Sequence, residues 1–239
     1  KTLTVLKSSI PYVSTVTNLR AATGGLDAES LEAAKLRAPA TLRSQERAVT
    51  AEDFEFLALE ADRTVARARC IQVRGDGRGG SVPPGTIELL VLPVIPDDLE
   101  RTRDTLQPSP DLIETVRRFL DDRRMLGTQL VIDGPDYVGV SVEAVIVVSP
   151  NVSGDRVRVR VAETLTRYLD PLKGGPLGAG WPFGRDLYLS EVQSVVQSVP
   201  GVEYAQDVTI IQIDTQTGQA RAAGQRIAIA DDVLLLPYA

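Results

Sequence analysis

From Val138 to Val148 every second residue is apolar: Val138, Val140, Val142, Ala144, Ile146 and Val148. Successive side chains of an extended strand point to opposite faces, so this alternation gathers all six on one side. Tyr137 to Val148 is therefore expected to be a strand lying against a core. Further strands are read at Val65 to Val73, Thr86 to Val94, Gln129 to Ile132, Glu203 to Ile213 and Arg226 to about Leu236. The segment RGDGRGGSVPPG between the first two suits an exposed hairpin-like excursion, and Asp214 to Gly218 supplies the turn between the last two.

The helices are marked by caps and apolar stripes. A short one is expected from Asp27 to about Arg37, stopped by Pro39, because an interior proline removes a donor and crowds the preceding turn. A second starts at Thr50, where Thr50 and Asp53 form a capping-box-like pair and Phe54, Leu57, Ala58 and Ala61 line one face. Ser109 caps the next, with Pro110 at its first position, a stripe of Ile113, Val116 and Leu120, and Gly127 expected to end it. Asp155 to Leu169 fits two periods. Val157, Val159 and Val161 alternate like a strand, whereas Val157, Val161, Leu165 and Tyr168 fit a helix; the length and the following Asp170-Pro171 favour the helix. In the last helix Ser190 and Gln193 make a second capping-box-like pair, and Val192, Val195, Val196 and Val199 form a stripe ended by Pro200-Gly201.

The order is two helices and then β-β-α-β-β-α-α-β-β, with short connections between most adjacent strands. This is an α+β arrangement of two small mixed domains, with helices packed on short, mostly antiparallel sheets. Residues 1–62 are expected to form an extended arm and two-helix segment, 63–134 a β-β-α-β domain, and 135–239 a β-α-α-β-β domain, with the cut near Gly134-Pro135. At 239 residues and 43% hydrophobic content the chain can fill such cores.

Composition excludes much chemistry. There is no histidine, which removes Ser-His-Asp and Cys-His catalysis, and the single cysteine leaves no usual zinc ligand set. Cys70 lies in the strand-like VARARCIQV, where an inert core thiol is expected. The net charge of −6 disfavours a nucleic-acid partner, and no apolar run approaches a membrane span. Gly75, Gly77 and Gly80 match the dinucleotide fingerprint, but Ser81-Val82-Pro83-Pro84 follows where a helix would have to open. The tripeptide Arg74-Gly75-Asp76 and the sequon Asn151-Val152-Ser153 are short enough to arise by chance. The acidic pairs Asp97-Asp98, Asp121-Asp122 and Asp231-Asp232 are expected to be solvated, the second beside arginines at ion-pairing spacing. No catalytic residue, metal site or cofactor is assigned.

The segment GGPLGAGWPFGRDLYLSEV, Gly174 to Val192, holds the only tryptophan. Its glycines permit backbone angles that other residues avoid while Pro176 and Pro182 stiffen it, so it reads as a shaped loop. It lacks the Gly-Lys-Ser/Thr of a phosphate loop. Two readings stand. Trp181 and Phe183 anchor the loop within its own domain while Arg185 pairs with a nearby acid, or the aromatic beside an arginine forms an assembly hot spot. On the second, alanine at Trp181 or Arg185 impairs assembly and spares the isolated fold. Arg37, Arg43 and Arg47 lie between the first two expected helices, among Glu46, Glu52, Asp53 and Glu55, and are read as interhelical or intersubunit ion-pairing residues.

Two separated segments resemble the baseplate J-like family of contractile phage tails and extracellular contractile injection systems. The first carries Asn18-Leu19-Arg20, Gly24-Gly25, Ala38-Pro39, Leu42-Arg43, Arg47-Ala48-Val49-Thr50 and Asp53-Phe54. The second carries Tyr168-Leu169, Pro171-Leu172, Gly174-Gly175, Gly180-Trp181-Pro182-Phe183-Gly184-Arg185 and Val199-Pro200-Gly201-Val202. The GWPFGR form is most similar to that of the extracellular systems.

The resemblance implies a structural wedge subunit, not an enzyme, in the ring around the hub that couples target contact to sheath contraction. It implies a second copy of the chain, other wedge proteins, and sheath-proximal and hub components as partners. It also implies assembly in the bacterial cytoplasm as part of a phage-tail-like particle. Because the sequence begins at Lys1, a further amino-terminal portion is expected. Arg37, Arg43, Arg47, Gly174, Gly175 and Gly180 through Arg185 are the expected assembly residues. The alternative is a stand-alone peptide- or carbohydrate-binding module using the Trp181 loop.

Overall fold

The computed structural model describes residues 4–8, 10–17, 28–72, 83, 85–96, 99–150 and 152–238. Gly75, Gly77 and Gly80, the Arg74-Gly75-Asp76 tripeptide, Asp97-Asp98, Asn151, Asn18-Leu19-Arg20 and Gly24-Gly25 lie outside the described residues. The chain divides into two units, Lys1–Arg43 and Ser44–Ala239.

In the first unit the described residues of 4–17 form no helix or strand, and α1 (Leu31–Ser44) follows. The helix was expected to start near Asp27 and stop before Pro39; it begins at Leu31 and continues through the proline. Ser30 provides the start, its hydroxyl accepting from Ala33 N at 3.1 Å and its carbonyl from Ala34 N at 2.9 Å. Pro39 removes one interior hydrogen bond, and the strong helix formers around it, Ala34, Leu36, Ala38 and Ala40 among them, offset that loss.

The second unit opens with α2 (Ala51–Ala61), started by the expected capping box. Thr50 Oγ1 accepts from Asp53 N at 3.2 Å, and Asp53 Oδ2 accepts from Thr50 N at 2.8 Å. β1 (Val65–Gln72) pairs antiparallel with β2 (Thr86–Pro93), which pairs in parallel with β3 (Gln129–Asp133) after the crossover through α3 (Pro110–Asp121). Leu89 through Leu92 are fully buried because both faces of this central strand are covered. One face packs Leu89 and Val91 with Phe54 and Leu57 of α2 and Val116 and Leu120 of α3. The other presents Leu92 to Leu106, Tyr137, Leu234 and Leu236. Ser109 caps α3 as expected, accepting from Leu112 N at 3.3 Å. Gly127 does not end that helix, which stops at Asp121; its φ of +88° serves the turn leading into β3.

The second sheet has the order β7-β6-β4-β9. β4 (Asp136–Val148) lies between β6 (Val202–Asp214), antiparallel to it, and β9 (Val233–Pro237), parallel to it; β7 (Ala220–Ala222) pairs with the end of β6. The even-numbered face of β4 does meet a core, with Val140 fully buried and Val138, Val142, Ala144, Ile146 and Val148 partly so. That face is covered by α4 (Gly154–Leu169), helical as its length suggested, and α5 (Leu189–Gln197).

Two expectations at this end are corrected. The closing stretch is not one strand: β8 (Arg226–Ile227) pairs with β5 (Leu187–Tyr188), and only β9 joins β4. Between them the chain turns at Asp231-Asp232, where Val233 N donates to Ala230 O at 3.0 Å. The cap of α5 is not Ser190 with Gln193. The helix starts at Leu189, and Glu191 accepts from Tyr188 N at 3.3 Å, because Arg185 already holds the Glu191 carboxylate at the helix start. With helices on one side of short mixed sheets, the fold is α+β.

Candidate functional site

The loop from Pro171 to Asp186 joins α4 to β5, and its centre is folded inward. Trp181 is 0% exposed and belongs to the core beneath β4 and the two helices. Its ring meets that of Tyr168 edge to face, with centroids 5.6 Å apart at 79°, the arrangement that aromatic quadrupoles favour. Its indole Nε1 donates to the carbonyl of Arg185 at 3.0 Å, so the one polar atom of the ring is satisfied inside the chain.

Arg185 also packs on the ring. Its guanidinium lies 4.9 Å from the Trp181 centroid and is paired with Glu191 at the start of α5. Burial disfavours the Arg185 charge, but the Glu191 carboxylate outweighs it, and the guanidinium is held more firmly protonated than usual. Burial, together with Glu191, pushes the neighbouring Tyr168 hydroxyl up.

Arg67 of β1 also binds the loop. It donates through Nη1 to the carbonyls of Pro171 and, at 2.9 Å, Trp181, and its guanidinium lies 5.1 Å from the Phe183 centroid. Burial lowers the pKa of this arginine. Asp170, at the end of α4, is a second organiser: Oδ1 accepts from Leu172 N at 2.6 Å and Lys173 N at 2.9 Å, and Oδ2 pairs with Arg101 at 3.1 Å. The Asp170 carbonyl accepts from Gly174 N and Trp181 N, tying two separate points of the loop to one residue.

The glycines are required by this closeness. A Cβ at Gly174 would stand 2.5 Å from the carbonyl oxygens of Arg167 and Tyr168, and one at Gly180, where φ is +89°, would collide with Pro171 O. Gly184 packs on Asp231, where a Cβ would lie 2.9 Å from Oδ1. Beyond this clamp Pro176 to Ala179 are exposed, with Leu177 at the tip 90% accessible.

Gly174, Gly175, Gly180, Trp181, Pro182, Phe183, Gly184 and Arg185 are thus brought into one structure. The anchoring arrangement is the one observed, with Arg185 paired to a nearby acid. A wholly buried Trp181 offers no ring face to a sugar or peptide, so the stand-alone module using that ring is not supported by this geometry. Arg37 and Arg43 lie on α1 of the first unit, and Arg47 in the connector before α2. Arg37 is paired within its own unit, to both carboxylate oxygens of Glu29 at 2.9 and 3.0 Å, and its hydrogen bonding is the main cause of the lowered Glu29 pKa.

Sequence reasoning missed Arg67, Asp170 and Glu191 as members of this cluster. The spacing of Arg185 and Glu191 across a helix start carried a readable signal, but Arg67 lies 104 residues from its acceptor Pro171 and carried none. Among the described residues there is no group of acidic or cysteine side chains placed to hold a metal, and no helix long and apolar enough to cross a membrane.

No protein-family model matches the chain, and no curated protein does. Among solved structures, a chain in the cryo-EM structure of the anti-feeding prophage (AFP) baseplate, 6-fold symmetrised, matches with a TM-score of 0.62 and 14% sequence identity. The likeness is one of fold. It covers 94% of this chain and 48% of that one, so this chain spans about half the neighbour's length.

Proposed function

We propose that this chain is a structural subunit of the baseplate of a contractile injection particle, and within it a wedge component of the ring around the hub that couples target contact to sheath contraction. The observation that carries this reading is the fold shared with the anti-feeding prophage baseplate chain across 94% of the present sequence. The GWPFGR loop supports it. The ionic groups at and around it are engaged within the chain, Arg185 by Glu191, Arg67 by two carbonyls and Asp170 by Arg101, which suits a rigid scaffold. A reactive centre instead needs groups free to exchange protons with a substrate.

On this reading the chain is a scaffold and not a catalyst. Its partners are a second copy, other wedge proteins, and sheath-proximal and hub components, and its place is in a phage-tail-like particle. The baseplate J-like wedge assignment belongs to the same proposal. Deletion of the gene in the native host tests it. Complete sheathed particles should vanish from electron micrographs of the lysate and return on complementation, whereas undiminished complete particles without the protein would refute the structural role.

A further inference from the structure

The buried side of α4 is apolar, but its outer side is mainly basic. Val157 and Val161 enter the core, whereas Val159, half a turn away, is 51% exposed and Ala162 is exposed beside it. At 3.6 residues per turn, Arg158 falls on one flank of this apolar strip and Arg156, Arg160 and Arg167 on the other. A hollow of about 770 Å³ lies along the strip, edged by Arg101, Arg158, Arg167 and Lys173, with only Glu163 and Asp170 opposing them. A second hollow, with Arg156 and Arg160, adjoins it across Val159 and Glu163. Among the described residues Arg156, Arg158 and Arg167 meet no carboxylate within ion-pair distance, although the chain as a whole carries a net charge of −6.

We propose that this face of α4 is a docking groove for an acidic segment of a partner protein, one apolar side chain seated on Val159 and Ala162 and carboxylates on either side meeting the arginines. The unpaired arginines supply charge complementarity, and the exposed apolar floor supplies a surface that a bare polyanion would leave unused. Glu163 in the middle of the floor and Asp155 at its end confine the segment's carboxylates to the arginine flanks and leave the centre to its apolar side chain, an alternation that a peptide offers and a uniformly charged phosphate backbone does not. The nine residue steps from Arg158 to Arg167 span about 13 Å of helix axis. At roughly 3.3 Å per residue an extended segment of about four residues covers them. The proposal does not depend on placement in a baseplate, because the groove and its charges belong to this chain alone.

The test is fluorescence anisotropy of the whole chain with a labelled peptide, Asp-Glu-Leu-Glu-Asp, against its neutral counterpart Asn-Gln-Leu-Gln-Asn, a short single-stranded DNA and phosphatidylserine vesicles. The acidic peptide should bind most tightly and weaken as salt is raised. Arg158→Glu with Arg167→Glu should reduce its affinity at least about tenfold with an unchanged thermal midpoint, since both side chains are exposed. If the double reversal fails to fold, Arg158→Gln and Arg167→Gln singly decide, each expected to weaken binding. Equal binding of the two peptides, affinity indifferent to these substitutions, or tighter binding of DNA or vesicles would overturn the proposal.

Discussion

Replacing Trp181 with alanine should lower the unfolding free energy by about 3–5 kcal/mol, the range for removing a buried large aromatic. The side chain is 0% exposed, so the whole ring volume is lost from a core shared with Val140, Val161 and Leu187. Within that range the edge-to-face contact with Tyr168 accounts for about 0.5–1.5 kcal/mol, and the bond to the Arg185 carbonyl for about 1 kcal/mol. Domains of this kind have only about 5–15 kcal/mol in total, so the variant will be marginal at room temperature. Urea unfolding followed by far-ultraviolet circular dichroism measures the loss without needing tryptophan fluorescence. Trp181→Phe, which keeps a ring but drops the donor, should fall between parent and alanine variant. An alanine variant within about 1 kcal/mol of the parent, at unchanged denaturant slope, would refute the anchoring argument and return weight to Trp181 as an assembly contact.

Gly180→Ala should destabilise by about 2 kcal/mol or more by urea titration, since φ is +89° and the added methyl meets Pro171 O; a neutral effect would mean the loop relaxes freely. Arg67→Met should cost about 2–3 kcal/mol by leaving the Pro171 and Trp181 carbonyls without their donor, and a loss below about 0.5 kcal/mol would contradict that role. Burial, helped by Glu55, pushes the Cys70 thiol from 9.0 up to about 12, and burial also raises the Tyr137 hydroxyl. The folded state therefore holds these protons more tightly than the unfolded chain. Their contribution is complete below the unfolded values and is lost as pH rises through the folded ones, so stability should fall between pH 9 and about 12. Cys70→Ala should flatten part of that fall in urea titrations across this range, and an unchanged slope would contradict it.

What the sequence made legible follows the range of the interactions. The Thr50 and Ser109 caps and the even-numbered face of β4 depend on neighbours within a turn or on strict alternation, and they appear as read; of the expected Val192, Val195, Val196 and Val199 stripe, α5 buries Val192 and Val196, leaves Val195 half-buried and ends before Val199, which is buried beyond it. Pro39 does not stop α1, because its local penalty is offset by the alanines and leucine around it. The Arg226 to Leu236 stretch looked continuous because its composition does not reveal that its two ends pair with different partners, β5 and β4. The loop glycines declared a special backbone, but what they approach, Pro171 O, Tyr168 O and Asp231, is set by tertiary contacts. Arg67 is the extreme case, an arginine in a strand whose role exists only once another part of the fold is in place.

Imaging shows whether this chain has a place in a particle. The full-length protein, tagged and captured from its native host while the tail genes are expressed, should bring down sheathed, tube-containing particles with the label confined to the baseplate end in electron micrographs. A clean monomer from the same cells, with no particle proteins beside it, or label distributed along the sheath, would contradict the account.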